Sequence, residues 1–149
     1  MRKFLSLAVS GLLCVLAFTT ASMAQSQTGG WDFSVKGIQA IAEKSRTGNY
    51  YRVYVTVRSD STNQTYGGYG TVRVVLRISD PNSGEELFNE VEKVEIKNGK
   101  SETVEFSFNR DVHYSYLDYV INIKPSSSDG ILDNESGNLS VDWRKSKWD

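Results

Sequence analysis

The segment Tyr51–Arg58 has the clearest pattern of apolar and polar positions in the chain. Apolar side chains occupy every second position, and the side-chain period of an extended strand is two. We therefore predict a β-strand with one face in a core and one in water. A slip of one residue would expose three valines and bury two arginines, so its register is strongly determined. The apolar positions are Tyr51, Val53, Val55 and Val57, and the polar ones include Arg52, Thr56 and Arg58.

Six further segments between turn-forming stretches are predicted to be strands, of which Leu87–Ile96 alternates less regularly than the others. Gly37 is a natural site for a bulge in the first of them, and Asp80–Gly84 and Asn98–Gly99 predict turns. Seven short strands without a convincing helix predict an all-β fold, an immunoglobulin-like antiparallel β-sandwich of about seven strands over residues 31–143. The predicted strands outside Tyr51–Arg58 are Trp31–Ala42, Val72–Ile78, Leu87–Ile96, Val104–Phe108, Leu117–Ile123 and Leu139–Trp143.

Two features of this pattern leave alternatives. Leu87–Ile96 also fits an amphipathic helix, but its glutamates favour an edge strand, where charge discourages pairing with other molecules. Tyr119 opens the sixth strand, where immunoglobulin-like domains often place a corner tyrosine whose hydroxyl bonds to upstream backbone. An ordinary core aromatic is the other interpretation of Tyr119.

Residues 1–24 have the features of a cleavable signal peptide. Arg2 and Lys3 precede an apolar run, and Ser22 to Ala24 provide small residues for cleavage. A membrane anchor is the alternative, but the run is shorter than the roughly 20 apolar residues that a bilayer requires. We expect an exported protein, periplasmic or secreted, with a mobile lead at 25–30, a charged tail at 144–149 and no membrane span after cleavage.

The cysteine content and the net charge exclude several classes of function. Cys14 is the only cysteine and lies in the predicted leader, so the mature chain has no thiol for a disulfide, a zinc site or a nucleophile. Loss of Arg2 and Lys3 leaves 15 basic against 18 acidic residues, a net charge of −3. A mildly acidic chain without a basic cluster is a poor nucleic-acid binder, so we expect no nucleic-acid partner.

Four short motifs follow one another along the chain: Asp32–Val35, Val53–Ser59, the turn with Ile96, Gly99 and Ser101, and Asp133–Asn138. In this order they resemble the bacterial cell-adhesion-related domain family, CARDB. The resemblance implies an immunoglobulin-like fold in an exported, non-catalytic module, and that family has no shared catalytic residues to transfer. The chain departs from the family pattern where Gly137 precedes a lone Asn138 in place of paired asparagines.

The residues offer little for catalysis or metal binding. His113 is the only histidine, and its neighbours Asp111 and Ser115 are too near in sequence to be assumed convergent. The acidic loop Asp129–Glu135 has oxygen ligands suited to calcium, but Ile131 occupies a ligand position. We therefore predict a non-enzyme with no cofactor and no metal site.

The predicted site is a binding surface formed by two loops, Ser59–Gly70 and Ser126–Asn138, at one end of the sandwich. Tyrosines among small polar residues are typical of recognition loops. The candidate residues are Tyr66, Tyr69, Asp60 and Asp129. We expect a protein or cell-surface partner. The alternative is a carbohydrate-binding module in which Trp31, Trp143 or Trp148 adds an exposed stacking surface for a glycan.

Overall fold

The computed structural model describes residues 31–61, 68–126, 128 and 130–146. This part of the chain folds into seven strands and no helix. The predicted signal peptide, the lead at 25–30 and Trp148 lie outside the described residues. The strands are β1 (Trp31–Ser45), β2 (Gly48–Ser61), β3 (Tyr69–Ser79), β4 (Glu86–Lys97), β5 (Ser101–Arg110), β6 (Tyr116–Pro125) and β7 (Asp133–Trp143).

The seven strands form one mixed sheet in the order β4-β3-β6-β7-β1-β2-β5. All neighbours are antiparallel except β1 and β7, which pair in parallel through Ala40–Ala42 and Val141–Trp143. The two edge strands approach each other where Phe88 of β4 stacks on Phe108 of β5, with ring centroids 5.2 Å apart. The sheet is therefore curled into a nearly closed, barrel-like shape. The all-β class is confirmed, whereas the immunoglobulin-like sandwich stays a prediction.

The core lies on the inner face of this curled sheet. Tyr51, Val53, Val55 and Val57 of β2 are fully buried, as the alternation in Tyr51–Arg58 predicts. They face the buried alternate residues of the other strands, and β-branched and aromatic side chains pack well on such a pleated surface. The largest buried contributions from β3 and β6 are Val72, Val74, Leu76, Ile78, Leu117, Ile121 and Ile123.

The Leu87–Ile96 segment is a strand, not a helix, and it occupies an edge of the sheet as predicted. Glu90 and Glu92 pair with the buried Leu76 and Val74 of β3, yet both glutamates remain exposed. Strand β4 therefore carries charged side chains at an edge where an uncharged strand could pair with a strand of another molecule. Such charges on an edge are a common protection against aggregation.

The predicted loop Ser126–Asn138 is wrong in its second half. Residues 133–138 belong to β7 and pair with Ile123 through Asp118 of β6. Their side chains are polar because the face they present is largely in water, so no apolar alternation marks the strand. Asp133 also accepts a hydrogen bond from the backbone N–H of Val35 at 2.9 Å, which ties β7 to β1.

Of the two interpretations of Tyr119, the structure supports the core aromatic and not the corner tyrosine. Its hydroxyl donates to Oε1 of Glu135 on the following strand at 2.7 Å, not to upstream backbone. Its ring lies over Gly137, where a Cβ would sit 3.2 Å from the tyrosine oxygen. Burial, followed by the hydrogen bond to the Glu135 carboxylate, raises the pKa of Tyr119 to about 12. Tyr51 makes the bonds to backbone instead, as described below.

Stability should fall in alkali because of Tyr119. Its pKa in the folded state exceeds the ordinary value of 10.0, so folding favours the protonated phenol. That contribution is complete below about pH 10 and is lost as the pH rises towards 12. Urea unfolding of wild type and Tyr119→Phe between pH 8 and 12 should show their stability difference shrinking across this window. A difference that stays constant, or that Tyr50→Phe reproduces, would contradict this assignment.

Gly48 is required by the turn between β1 and β2. Its φ is +133°, and a Cβ would lie 3.1 Å from the carbonyl oxygen of Arg110 and 2.9 Å from the Asp111 carboxylate. Gly48→Ala should therefore destabilise the protein by roughly 1–3 kcal/mol, measured by urea unfolding. Gly37→Ala is the matched control, because a Cβ there meets nothing within 4 Å. Equal stability of the two variants would refute the requirement.

Candidate functional site

The loop that joins β5 to β6, residues 111–115, is held rigidly against the core. The hydroxyl of Tyr51 donates to the carbonyl of Val112 at 2.8 Å and accepts from the backbone N–H of Tyr114 at 2.9 Å. Asn49 donates to the carbonyl of Asp111 at 3.2 Å. A loop whose backbone groups bond to buried side chains of the core is held in one conformation. Its side chains can therefore form a site that exists before any ligand arrives.

Trp143 and His113 extend this rigid region. The Trp143 indole N–H donates to the carbonyl of Tyr114 at 2.9 Å. The His113 ring stacks on the indole with centroids 3.8 Å apart and planes 13° apart. His113 is exposed and on a loop, as expected, but one face of its ring is covered. Among the described residues no hydrogen bond joins it to Asp111 or Ser115, so the structure assembles no triad around it.

A cleft of about 430 Å³ opens beside this loop. One wall is the turn between β3 and β4, where the backbone N–H of Asn82 donates to Asp80 at 2.8 Å. That bond is the main reason that the pKa of Asp80 lies below its usual value. The volume lies within the range of small-molecule sites, which are roughly 300–1,000 Å³. The cleft is lined by Pro81, Asn82, His113, Tyr114, Ser115, Tyr116 and Asn138.

The chemistry of the cleft combines an aromatic surface with uncharged polar groups. Tyr116 is 55% exposed, whereas Tyr114 is buried, and that burial raises its pKa. Asn138 donates to Asp118 at 3.0 Å, which orients its amide and leaves its oxygen as an acceptor. None of the described lining residues carries a carboxylate or an ammonium group. The cleft is therefore suited to a neutral ligand with many hydroxyl groups.

Two of the four residues predicted from sequence, Tyr69 and Asp60, lie at the other end of the fold. Tyr69 begins β3 and is 65% exposed, while the cleft follows the end of the same eleven-residue strand, about 35 Å away at 3.3 Å per residue. Asp60 lies near the end of β2, where the Nε–H of Arg58 is shared between its two carboxylate oxygens and lowers its pKa. Tyr66 and Asp129 fall outside the described residues. The structure therefore does not show a site formed by these four residues.

The described residues next to the predicted loops Ser59–Gly70 and Ser126–Asn138 do contact each other, at the end of the fold where Tyr69 lies. Val72 of β3 pairs with Pro125 of β6, and the Arg73 guanidinium donates to the carbonyl of Ser128 at 2.6 Å. The acidic segment Asp129–Glu135 was predicted to hold no metal. Of its described carboxylates, Asp133 accepts a hydrogen bond from the backbone N–H of Val35, and Glu135 accepts one from Tyr119. No group of three metal-ligating side chains occurs among the described residues.

Sequence reasoning missed the cleft because its residues come from four separate segments. Asn82 follows β3, His113 follows β5, Tyr116 begins β6 and Asn138 lies within β7. One signal was available: Tyr116 stands at a polar phase of β6, one position before the buried Leu117. An aromatic residue on the solvent side of a strand is a candidate contact for a ligand.

No family model and no curated protein matches the sequence. Solved structures share a similar arrangement over part of their length. A β-glucosidase from Erythrobacter marinus matches 74% of this chain with a TM-score of 0.49 and 16% identity. A Bacteroides uniformis β-glucuronidase matches 76% of this chain with a TM-score of 0.49 and 11% identity. A Listeria innocua β-glucosidase matches 75% of it with a TM-score of 0.44 and 13% identity.

The chain spans only 13–16% of the length of these solved chains. At such scores and identities they assign no activity to it. In the described part of the chain, no helix is long and apolar enough to cross a membrane.

Removing the Tyr51 hydroxyl should loosen the loop that carries the cleft. Tyr51→Phe leaves the N–H of Tyr114 without its acceptor, a loss of about 1–3 kcal/mol. Urea unfolding measures this cost, and hydrogen exchange of the Tyr114 amide should accelerate. Tyr50→Phe is the control, since its hydroxyl makes no hydrogen bond within the described residues. Unchanged exchange in Tyr51→Phe would contradict the anchoring role.

Proposed function

We propose that this chain is an exported, non-catalytic β-domain that binds a neutral carbohydrate in the cleft beside residues 111–116. The supporting observation is the exposed Tyr116 ring next to amide and hydroxyl groups in a rigid, uncharged cleft. Sugar rings present C–H faces that pack on aromatic rings, and hydroxyl groups that bond to amides. Such sites combine an apolar surface with a few well-placed polar groups.

The arrangement of the cleft supports binding more than catalysis. Glycoside hydrolysis commonly uses two carboxylates that flank the bond to be cleaved. The described lining of the cleft offers none, and its histidine is stacked on Trp143. Trp143 itself is half-buried against Tyr51, with ring centroids 5.6 Å apart, so its ring supports the site and is not its platform.

Export and an immunoglobulin-like CARDB module belong to the same proposal. The apolar leader with small residues before position 25 supports secretion. The antiparallel sets β4-β3-β6-β7 and β1-β2-β5 enclose a common core, as the two layers of a sandwich would.

A second candidate function is capture of a protein or cell-surface partner by the opposite end. The observation that favours it is Tyr69, which is 65% exposed beside the loop that contains Tyr66. Exposed tyrosines on loops contribute large contact area at low entropic cost. The two functions use different ends of the fold, so one pair of variants separates them.

Tyr116→Ala should weaken binding of neutral oligosaccharides at least tenfold, equivalent to about 1.4 kcal/mol. Isothermal titration against a panel of neutral oligosaccharides measures this effect on the mature chain. Tyr69→Ala is the matched control, because it removes a similarly exposed ring from the other end and should leave glycan affinity unchanged. Both variants should retain the thermal midpoint of the wild type.

Two outcomes would overturn the assignment. If no neutral oligosaccharide binds the wild type, the cleft is not a carbohydrate site. If Tyr69→Ala loses binding and Tyr116→Ala does not, the ligand occupies the opposite end.

A further inference from the structure

A second concave surface lies on the outer face of β1, β2 and β5. It encloses about 500 Å³ and shares no lining residue with the cleft. Tyr54 and Thr56 of β2 and Thr103 of β5 line it on one side. Gly37 and Gln39 of β1, with Arg144 after β7, line the other. We refer to this surface as the sheet groove.

The sheet groove exists because β1 changes register. A bulge between Val35 and Gly37 inserts Lys36 into the ladder with β2. Gly37 then lines the groove without a side chain, and a Cβ there would meet nothing within 4 Å. Bulges frequently occur beside functional sites, where they redirect the chain. The bulge and the glycine together leave open space above an otherwise continuous sheet.

The floor of the sheet groove is apolar. Ile41 pairs with Arg52, on the face of the sheet opposite to that of the buried Ala40 and Ala42, yet it is only 4% exposed. It lines the groove and is separate from the main core cluster. Ligand sites commonly combine apolar side chains with a few polar groups that orient the ligand.

The walls offer groups that suit a sugar. Tyr54 is half-buried, so its ring is held in place while one part remains accessible. The hydroxyls of Thr56 and Thr103 lie 2.9 Å apart and can each make a further hydrogen bond, and Gln39 adds an amide.

Arg144 gives the sheet groove its charge preference. Among the described lining residues it alone carries a formal charge. Its backbone N–H donates to the carbonyl of Ala42 at 2.8 Å, which fixes where the residue leaves β7. The nearby Glu43 is 3.6 Å from the Arg52 guanidinium and is thus already paired. A guanidinium binds a carboxylate through parallel hydrogen bonds.

We propose that the sheet groove is a separate site for an acidic saccharide, a chain of sugars that carry carboxylates. Arg144 binds a carboxylate, the Tyr54 ring packs on a sugar face, and Gln39 and the threonines bind hydroxyls. This site differs from the cleft in ligand charge and in position, and it does not depend on the cleft being occupied. An acidic peptide is the competing ligand, and the experiment distinguishes it.

Gly37→Trp tests the assignment by filling the sheet groove from a position with room for a side chain. The probe is an oligomer of galacturonic acid, titrated calorimetrically into the mature chain, with the neutral galactose oligomer as its counterpart. Gly37→Trp should weaken binding of the acidic oligomer more than tenfold. Gly37→Ala, the matched control, should bind it within twofold of wild type, and circular dichroism verifies that both variants fold.

Arg144→Gln should remove the preference for the acidic over the neutral oligomer while leaving the fold intact. Tyr116→Ala should bind the acidic oligomer as wild type does, which separates this site from the cleft even if the cleft binds no sugar. Undiminished binding to Gly37→Trp, or no binding of the acidic oligomer to wild type, would overturn the proposal. Tighter binding of a poly-glutamate peptide than of the oligomer would assign the groove to peptides instead.

Discussion

The hydroxyl of Tyr51 is the interaction on which the arrangement of this domain depends. The ring is fully buried in β2, and the rings of Phe108, Tyr114 and Trp143 surround it at centroid distances of 5.1–6.0 Å. At its tip, the hydroxyl bonds to the backbone of the loop between β5 and β6. One side chain therefore joins the core to the cleft, because its ring needs an apolar environment and its oxygen needs polar partners. A cleft that is held in this way loses little entropy when a ligand binds.

The two edge strands of the sheet, β4 and β5, differ from its outer face in the side chains that they carry. Between β4 and β5 the aromatic rings of Phe88, Phe106 and Phe108 close one stretch of the seam. Farther along β4, Glu90 and Glu92 stay exposed opposite buried residues of β3. Charge at this seam opposes the addition of another strand. The outer face of β1 and β2 instead has a bulge, a glycine and an apolar floor. A ligand site on this fold is therefore more compatible with the outer face of the sheet or with the loop between β5 and β6 than with the edge strand β4.

The alternation of apolar and polar residues was sufficient to locate a strand wherever one of its faces is buried and the other is exposed to solvent. Alternation located β2 and its buried residues, and the charges of β4 identified it as an edge strand and not a helix. The same reasoning failed for the first half of β7, because Asp133–Asn138 exposes polar groups and has no apolar phase to detect. The two interpretations of Tyr119 could not be separated for a related reason: its hydroxyl partner, Glu135, becomes adjacent only when β7 pairs with β6.

The amino-acid sequence alone determined which side chains face inward in the strands that alternate clearly, such as β2, since a strand's period of two is a local property. It also determined the absence of thiol chemistry from the chain that follows Cys14. Only the tertiary structure decided the strand order, the parallel contact between β1 and β7, and the meeting of Asn82, His113, Tyr116 and Asn138 in one cleft. These depend on backbone pairing between segments far apart in the chain, and the residues of one strand do not specify its partner.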